Sequence, residues 1–131
     1  MTRQNHDGQL NSLIDLREAE IAKIASSKEE VTLLREHLQE IIEGKAFKGS
    51  HRSAQFLAFI VNQAITGRFD SLKERVIGVE LFGRSPSYDT GEDAIVRVTA
   101  TDVRKRLFQH YGENGTSSPF RLSLPLGIVY S

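Results

Sequence analysis

The clearest hydrophobic pattern in this chain lies between Glu92 and Tyr111. Apolar side chains recur there at steps of four, three, four and four residues, at Val96, Ala100, Val103, Leu107 and Tyr111. This spacing predicts an amphipathic helix with one buried face. The opposite face of the same helix is polar and basic and is made of Arg97, Thr101, Arg104 and Lys105, with Arg106 on its flank.

Two helices are predicted before residue 45. Leucines and isoleucines recur among charges over residues 9–25 at roughly helical spacing, and little core remains for this stretch to cover. We therefore expect it to pair with a second copy of the chain as a dimerising arm, through Leu10, Leu13, Ile14, Ile21 and Ile24. A capping box from Ser27 to Glu30 then starts a helix that Gly44 ends, and this helix suits packing on its own domain.

Two further helices are predicted between residues 50 and 83. The first is capped by Ser50, carries a broad apolar stripe and stops at Gly67. The second opens at a capping box over residues 71–74 and closes at Gly83. Residues 84–91 then have the composition of a turn, with proline and glycine at the breaks.

The end of the chain predicts a β-hairpin. Residues 120–124 alternate in hydropathy, residues 125–127 make a turn, and residues 128–130 are β-branched or aromatic. Packed helices followed by a basic helix and a hairpin are the order of a winged helix-turn-helix. The expected fold class is therefore mainly α with a small C-terminal β-hairpin. An N-terminal amphipathic arm, residues 1–28 and partly disordered, precedes a winged helix-turn-helix domain, residues 29–131.

Charge and composition add a few limits. The net charge is zero, but residues 1–44 hold five basic and nine acidic side chains, a net charge of −4, and the rest of the chain carries +4. Such a change of sign suggests that the two parts do different jobs. No apolar run approaches the ~20 residues of a membrane span. The absence of cysteine excludes disulfides and thiolate metal sites. We expect a cytoplasmic protein that does not enter the membrane.

No motif points to catalysis. The four histidines lack metal-ligand spacing, and the chain has neither a glycine-rich phosphate loop nor a nucleophile elbow. The sequence therefore predicts that the protein is not an enzyme and that it needs no metal or cofactor.

The basic side chains suggest contacts to DNA instead. Arg97 and Arg104 stand two helical turns apart, where arginine can bind guanine or clamp a phosphate, and Thr101 between them can touch a base edge. For Arg97 an alternative is an ion pair with Asp93, four positions earlier on the same helix. The predicted DNA-binding residues of the whole chain are Arg97, Thr101, Arg104, Lys105, Arg121, Lys73 and Arg52.

Parts of the chain resemble known winged-helix domains. Val103-Arg104-Lys105-Arg106-Leu107 is similar to the recognition helix of OmpR/PhoB-type effector domains, and Gly127-Ile128-Val129-Tyr130 is similar to their wing. Residues 33–130 also resemble a bacterial winged-helix module, through Phe56-Leu57, Gly67, Leu72-Lys73-Glu74, Phe82-Gly83-Arg84, Tyr88-Asp89, Asp93, Ile95-Val96-Arg97-Val98, Ala100, Val103-Arg104, Leu107 and Tyr111. Related sequences often carry arginine where this chain has Thr101 and Asp102, which implies fewer phosphate contacts here.

Pattern and resemblance together predict a homodimeric, sequence-specific regulator of transcription that binds double-stranded DNA. The helix of residues 92–111 would lie in the major groove, and the hairpin of residues 120–131 would act as the wing. The alternative is a protein–protein interaction module that uses the same face to bind a regulatory partner, with Phe108 exposed beside the basic residues. Salt dependence would separate them, because binding to phosphates weakens steeply as salt rises.

Overall fold

The computed structural model describes residues 23–114 and 121–124 of the chain. Four α-helices make up most of this part: α1 Lys28–Glu43, α2 His51–Ile65, α3 Glu74–Glu80 and α4 Ile95–Asn114. Short 3-10 turns at Lys45–Phe47 and Phe69–Leu72 connect α1 to α2 and α2 to α3. None of the helices in the described ranges is long and apolar enough to cross a membrane.

Helix α1 begins and ends where the sequence predicts. The Ser27 hydroxyl accepts a hydrogen bond from the backbone N–H of Glu30 at 3.2 Å, which satisfies one donor of the first turn. At the other end, the N–H of Gly44 bonds to the carbonyl of Ile41 at 3.1 Å. Both boundaries therefore follow from local hydrogen bonding that the sequence alone reveals.

The predicted apolar stripe of α4 forms the centre of the core. Val96, Ala100 and Val103 are completely buried, and Leu107 and Tyr111 are nearly so. Helix α2 packs against this stripe and contributes the largest buried side chains, Phe56 and Ile60 among them. The prediction of a helix with one buried face is confirmed, although α4 starts at Ile95 and runs to Asn114.

The predicted capping box of α3 is wrong. Residues Phe69–Leu72 form a 3-10 turn that puts Leu72 in the core, and Lys73 has an extended backbone. Because of this bend, the N-cap position falls on Lys73, whose side chain makes no capping hydrogen bond. Helix α3 is therefore shorter than predicted, and Gly83, with a φ of 67°, adopts the left-handed conformation just beyond it.

The predicted fold class is also wrong. Within residues 23–114 and 121–124 the fold is helical and has no β-strand, and Leu122 forms only an isolated bridge. Leu122 and Leu124 are buried, as their alternation suggests, but the backbone around them bonds to side chains of α4. The described part of the chain thus contains neither a hairpin nor the wing of a winged helix-turn-helix. The remaining residues of the predicted hairpin, 120 and 125–131, and most of the predicted arm lie outside the described ranges.

Candidate functional site

Arg97, a predicted DNA contact, is used inside the protein. Its Nε donates to the Glu74 carboxylate at 2.9 Å, and its Nη2 donates to the carbonyl of Thr90. The Glu74 side chain is only 12% exposed, so the carboxylate of the pair is largely shielded from water, whereas the Arg97 side chain is 34% exposed. Arg97 therefore joins α4 to α3 and to the loop between them. The alternative partner, Asp93, pairs with Arg84 instead, and this hydrogen bond lowers the pKa of Asp93.

Two other arginines hold the same loop, residues 81–94. Arg75 donates to the carbonyls of Pro86 and Tyr88, at 3.1 and 2.6 Å, and its guanidinium lies 5.5 Å from the centre of the Tyr88 ring. Arg84 donates to the carbonyl of Phe82 at 3.1 Å. A loop without helix or strand leaves many carbonyls to be satisfied, and guanidinium groups supply the donors. We call Arg75, Arg84 and Arg97 the arginine clamp.

Arg104 also binds backbone of its own chain. Its Nε donates to the carbonyl of Leu124 at 2.7 Å, which fastens residues 121–124 to α4. Arg121 is exposed, and its guanidinium lies 4.5 Å from the centre of the Tyr111 ring. Between this segment and α4 is a cleft of about 200 Å³ lined by Arg104, Phe108, Tyr111, Arg121 and Ser123.

Asp102 and Arg106 are structural as well. Both the Ser53 hydroxyl and the Arg106 Nε donate to Asp102 Oδ2, the latter at 2.6 Å, and Arg106 Nη1 donates to the carbonyl of Ala46 at 2.7 Å. Burial opposes ionisation of Asp102, but the hydrogen bonds from Ser53 and Arg106 outweigh it and hold its pKa below the ordinary value. Asp102 thus ties α2 to α4, and this role explains an acidic residue among the basic ones.

A different set of side chains forms the exposed surface of α4. Val98 and Phe108 are 59% and 78% exposed, and Thr101 and Lys105 are exposed between them. The spacing of three, four and three residues puts these four on one side of the helix, opposite the buried stripe. We call Val98, Thr101, Lys105 and Phe108 the outer face of α4. It is more apolar than the predicted basic face of Arg97, Thr101, Arg104 and Lys105.

The remaining predicted DNA contacts are exposed but lie on other elements. Arg52 is at the start of α2 and lines a cleft of about 330 Å³ with Val98 and Asp102, so it borders the outer face. Lys73 lies at the start of α3, where its side chain is exposed. Of the seven predicted residues, Thr101, Lys105, Arg52, Lys73 and Arg121 are exposed.

The predicted dimerisation residues fall mostly outside the described ranges. Leu10, Leu13, Ile14 and Ile21 lie among residues 1–22, and dimerisation through them stays a prediction. Ile24 is described, and it is 8% exposed in the hydrophobic core of its own chain. Its burial removes it from any surface that a second copy would contact.

Two structural features were not predicted from the sequence. His37 and Tyr111 are 74 positions apart, yet His37 Nε2 lies 2.8 Å from the Tyr111 hydroxyl in the protein interior. Gly78 lies inside α3, where the Tyr88 side chain packs directly against it. Neither has a local signal, because each depends on contacts between distant segments. The described residues contain no group of three or more His, Asp or Glu side chains that could hold a metal ion.

Comparisons with known proteins were made at three levels, and neither a protein-family model, nor a curated protein, nor a solved structure matched this chain.

Proposed function

We propose that this chain is an interaction module that binds a partner protein through the outer face of α4. The observation that carries the proposal is the exposure of Val98 and Phe108 on a helix whose opposite side is the centre of the core. Large apolar side chains that lie in contact with water contribute to affinity when a partner covers them. Aromatic residues in particular tend to dominate the energy of protein interfaces.

The hydrogen bonds of Arg97 and Arg104 within the protein support this proposal over DNA binding. Arg97 binds Glu74 and the Thr90 carbonyl, and Arg104 binds the Leu124 carbonyl. Each guanidinium has a donor bound to the backbone of its own chain, and turning the group fully toward a phosphate would break that hydrogen bond. Leaving a half-buried donor or acceptor unsatisfied costs about 1–3 kcal/mol, so these two residues are poor candidates for DNA recognition.

The charges around the outer face indicate the chemistry of the partner. Lys105 lies between Val98 and Phe108, and the cleft next to Phe108 is lined by Arg104 and Arg121 and by no acidic residue among those described. Complementary charge fixes orientation and speeds association. The partner that fits is therefore a protein segment with acidic side chains flanking an apolar anchor, such as an amphipathic helix.

A second candidate is the binding of double-stranded DNA in transcription regulation. It is favoured by the exposure of Thr101 and Lys105 on α4 and of Arg52 beside them. These side chains can contact phosphates and base edges without disturbing the fold. With few cations available per copy, such binding would depend on a homodimer that joins two half-sites.

A binding experiment with defined probes separates the two candidates. The probes are a labelled helical peptide with leucine and glutamate at helical spacing, the same peptide with lysine for glutamate, and random-sequence duplex DNA. We expect the acidic peptide to bind best, and Phe108→Ser to weaken it roughly 30-fold, the size of an interface hot spot of about 2 kcal/mol.

The control is Gln109→Ser, which changes an exposed neighbour on α4 that lies beside the outer face. The proposal is wrong if the acidic and basic peptides bind equally well or if Phe108→Ser leaves acidic-peptide affinity unchanged. Duplex binding that falls steeply with salt and is lost in Lys105→Ala, but not in Phe108→Ser, would establish the DNA candidate instead.

A further inference from the structure

Three buried groups from separate parts of the chain form a continuous hydrogen-bonded relay. His37 on α1 lies with its Nε2 2.8 Å from the hydroxyl of Tyr111 on α4. The backbone N–H of Leu122 donates to the same hydroxyl oxygen at 2.8 Å. His37 is 5% exposed, Tyr111 6% and Leu122 4%, so water does not compete for these bonds.

The relay fits a neutral His37. The Tyr111 oxygen accepts from the Leu122 N–H, and the tyrosine's own hydrogen donates to His37 Nε2 when that nitrogen carries no proton. In this arrangement His37 carries its hydrogen on Nδ1. That nitrogen has no hydrogen-bond partner among the described residues, and Glu40 Oε1 is 3.6 Å away. Burial lowers the pKa of His37, which favours this neutral form.

We propose that His37, Tyr111 and Leu122 form a pH-sensitive latch, which holds residues 121–124 against α1 and α4 while His37 is neutral and loosens them when it is protonated. A proton from solvent binds to Nε2, so that this atom becomes a donor and no longer accepts the tyrosine hydrogen. The Tyr111 hydroxyl then faces two donors, Nε2–H and the Leu122 N–H, and its own hydrogen loses its acceptor. No covalent bond changes.

Of the charged and titratable groups around His37, some favour its protonated form and others oppose it. Glu40, on the same helix, stabilises the protonated ring by charge, but its side chain is 70% exposed and water screens it. On α4, the ring of His110 lies 6.4 Å from that of His37 and disfavours a second positive charge. Arg121 adds a further positive charge beside the Tyr111 ring. The cluster therefore favours release of the segment rather than a stable buried imidazolium.

The latch has a consequence for binding that rests on the proposed function. Residues 121–124 form one wall of the cleft next to Phe108, and Tyr111 lines its floor. When residues 121–124 loosen, the cleft beside Phe108 loses its shape, and Arg121 no longer flanks that end of the outer face of α4. We therefore expect the acidic peptide to bind more weakly at about pH 5.5 than at pH 7.5.

The latch itself is tested by a pH titration of the full chain followed by two-dimensional NMR. The backbone N–H of Leu122 and the ring protons of His37 are observed in the same samples between pH 7.5 and 5. We expect the Leu122 signal to shift with the midpoint of His37. Its protection against hydrogen exchange should fall about fivefold, the change expected for the loss of one hydrogen bond.

Two variants and a control complete the test. In His37→Gln the side-chain amide can accept the tyrosine hydrogen but does not titrate, so the Leu122 signal should stay constant over this range. In Tyr111→Phe, His37 should still titrate without moving Leu122. The control His51→Gln removes an exposed histidine and should leave the wild-type behaviour unchanged.

The outcomes separate the latch from the docking surface. A Leu122 signal that ignores the titration of His37, or that still shifts in His37→Gln, overturns the latch. If instead the latch behaves as expected while no probe binds at either pH, the proposed function fails and the latch stands.

Discussion

Two irregular segments of this protein are held against its helices by different chemistry. The loop of residues 81–94 is held by the arginine clamp, whose guanidinium groups donate to carbonyls and to the carboxylates of Glu74 and Asp93. Residues 121–124 are held by Arg104 and by a neutral relay that ends at His37. The clamp is built on guanidinium groups, which stay charged in proteins, whereas the latch depends on one histidine. We therefore expect the attachment of residues 121–124 to depend on pH near neutrality and that of residues 81–94 not to do so.

Among changes to the contacts that hold these two segments, the largest effect is expected from loss of the shielded carboxylate of Glu74. In Glu74→Ala, Arg97, whose side chain is 34% exposed, keeps its charge but loses its carboxylate partner. We expect the free energy of unfolding to fall by about 2 kcal/mol, less than for a fully buried pair because water partly solvates Arg97. Urea denaturation measures this loss. The matched control is Glu80→Ala, an exposed change at the end of the same helix, for which we expect less than about 0.5 kcal/mol. Equal losses in the two variants would show that the Glu74–Arg97 ion pair does not contribute to stability.

The next largest effect on stability is expected from Gly78→Ala, which tests the packing of Tyr88 in the loop of residues 81–94 against α3. A Cβ added at Gly78 would lie 2.6 Å from Cζ of Tyr88 and closer still to its hydroxyl, so Gly78→Ala forces the ring to move. We expect a loss of about 1–2 kcal/mol from overpacking, even after the better helix propensity of alanine. Thermal or urea unfolding provides the measurement.

Gly112→Ala is the control for this change. It is the same substitution on α4 at a position where a Cβ meets nothing within 4 Å, and we expect a gain of about 0.5–1 kcal/mol. Combining Gly78→Ala with Tyr88→Ala should remove the penalty. A penalty that persists without the tyrosine ring would mean that the helix backbone itself requires glycine.

The comparison of the two segments also shows what the sequence could predict. Helix periodicity and the Ser27 cap are local, and both the buried stripe of α4 and the start of α1 were predicted correctly. The hydrogen-bond partners of the arginines are distant in the sequence, because Glu74 is 23 positions from Arg97 and Ala46 is 60 positions from Arg106. A basic helix face therefore looks the same in the sequence whether its donors bind phosphates or its own backbone.

The hairpin prediction failed for a related reason. Alternation at Leu122 and Leu124 reports which side chains are buried and does not report which groups bond to the backbone between them. In a strand those groups bond to another strand, but here the partners are the Tyr111 hydroxyl and the Arg104 guanidinium. Only the three-dimensional arrangement distinguishes the two solutions.

A smaller effect on stability comes from pH, in one window for His37 and in a lower one for the ion-paired aspartates Asp93 and Asp102. Because the folded-state pKa of His37 is lowered from 6.5, its unfolded state binds more protons, and stability falls as the pH drops below about 6.5. The lowered pKa values of Asp93 and Asp102 add their losses only as the pH drops below 3.8. Urea denaturation at pH 7.5, 5.5 and 3.5 measures both windows. His37→Gln should remove the loss of stability between pH 7.5 and 5.5 and leave the loss between pH 5.5 and 3.5. If the loss between pH 7.5 and 5.5 persists in this variant, a group other than His37 causes it.

The smallest effect on stability is expected at the outer face of α4, which takes no part in holding either segment. Phe108 makes little contact with its own chain, because 78% of it is exposed, so Phe108→Ser should change the free energy of unfolding by less than about 0.5 kcal/mol. Leu107→Ala, one position away on the buried side, should cost about 2–5 kcal/mol. Urea denaturation of both variants, set beside acidic-peptide binding, divides the helix into a side that folds the protein and a side that is free to bind. A large loss of stability in Phe108→Ser would instead show that this ring covers part of its own chain, and the case for a docking surface would rest on Val98 alone.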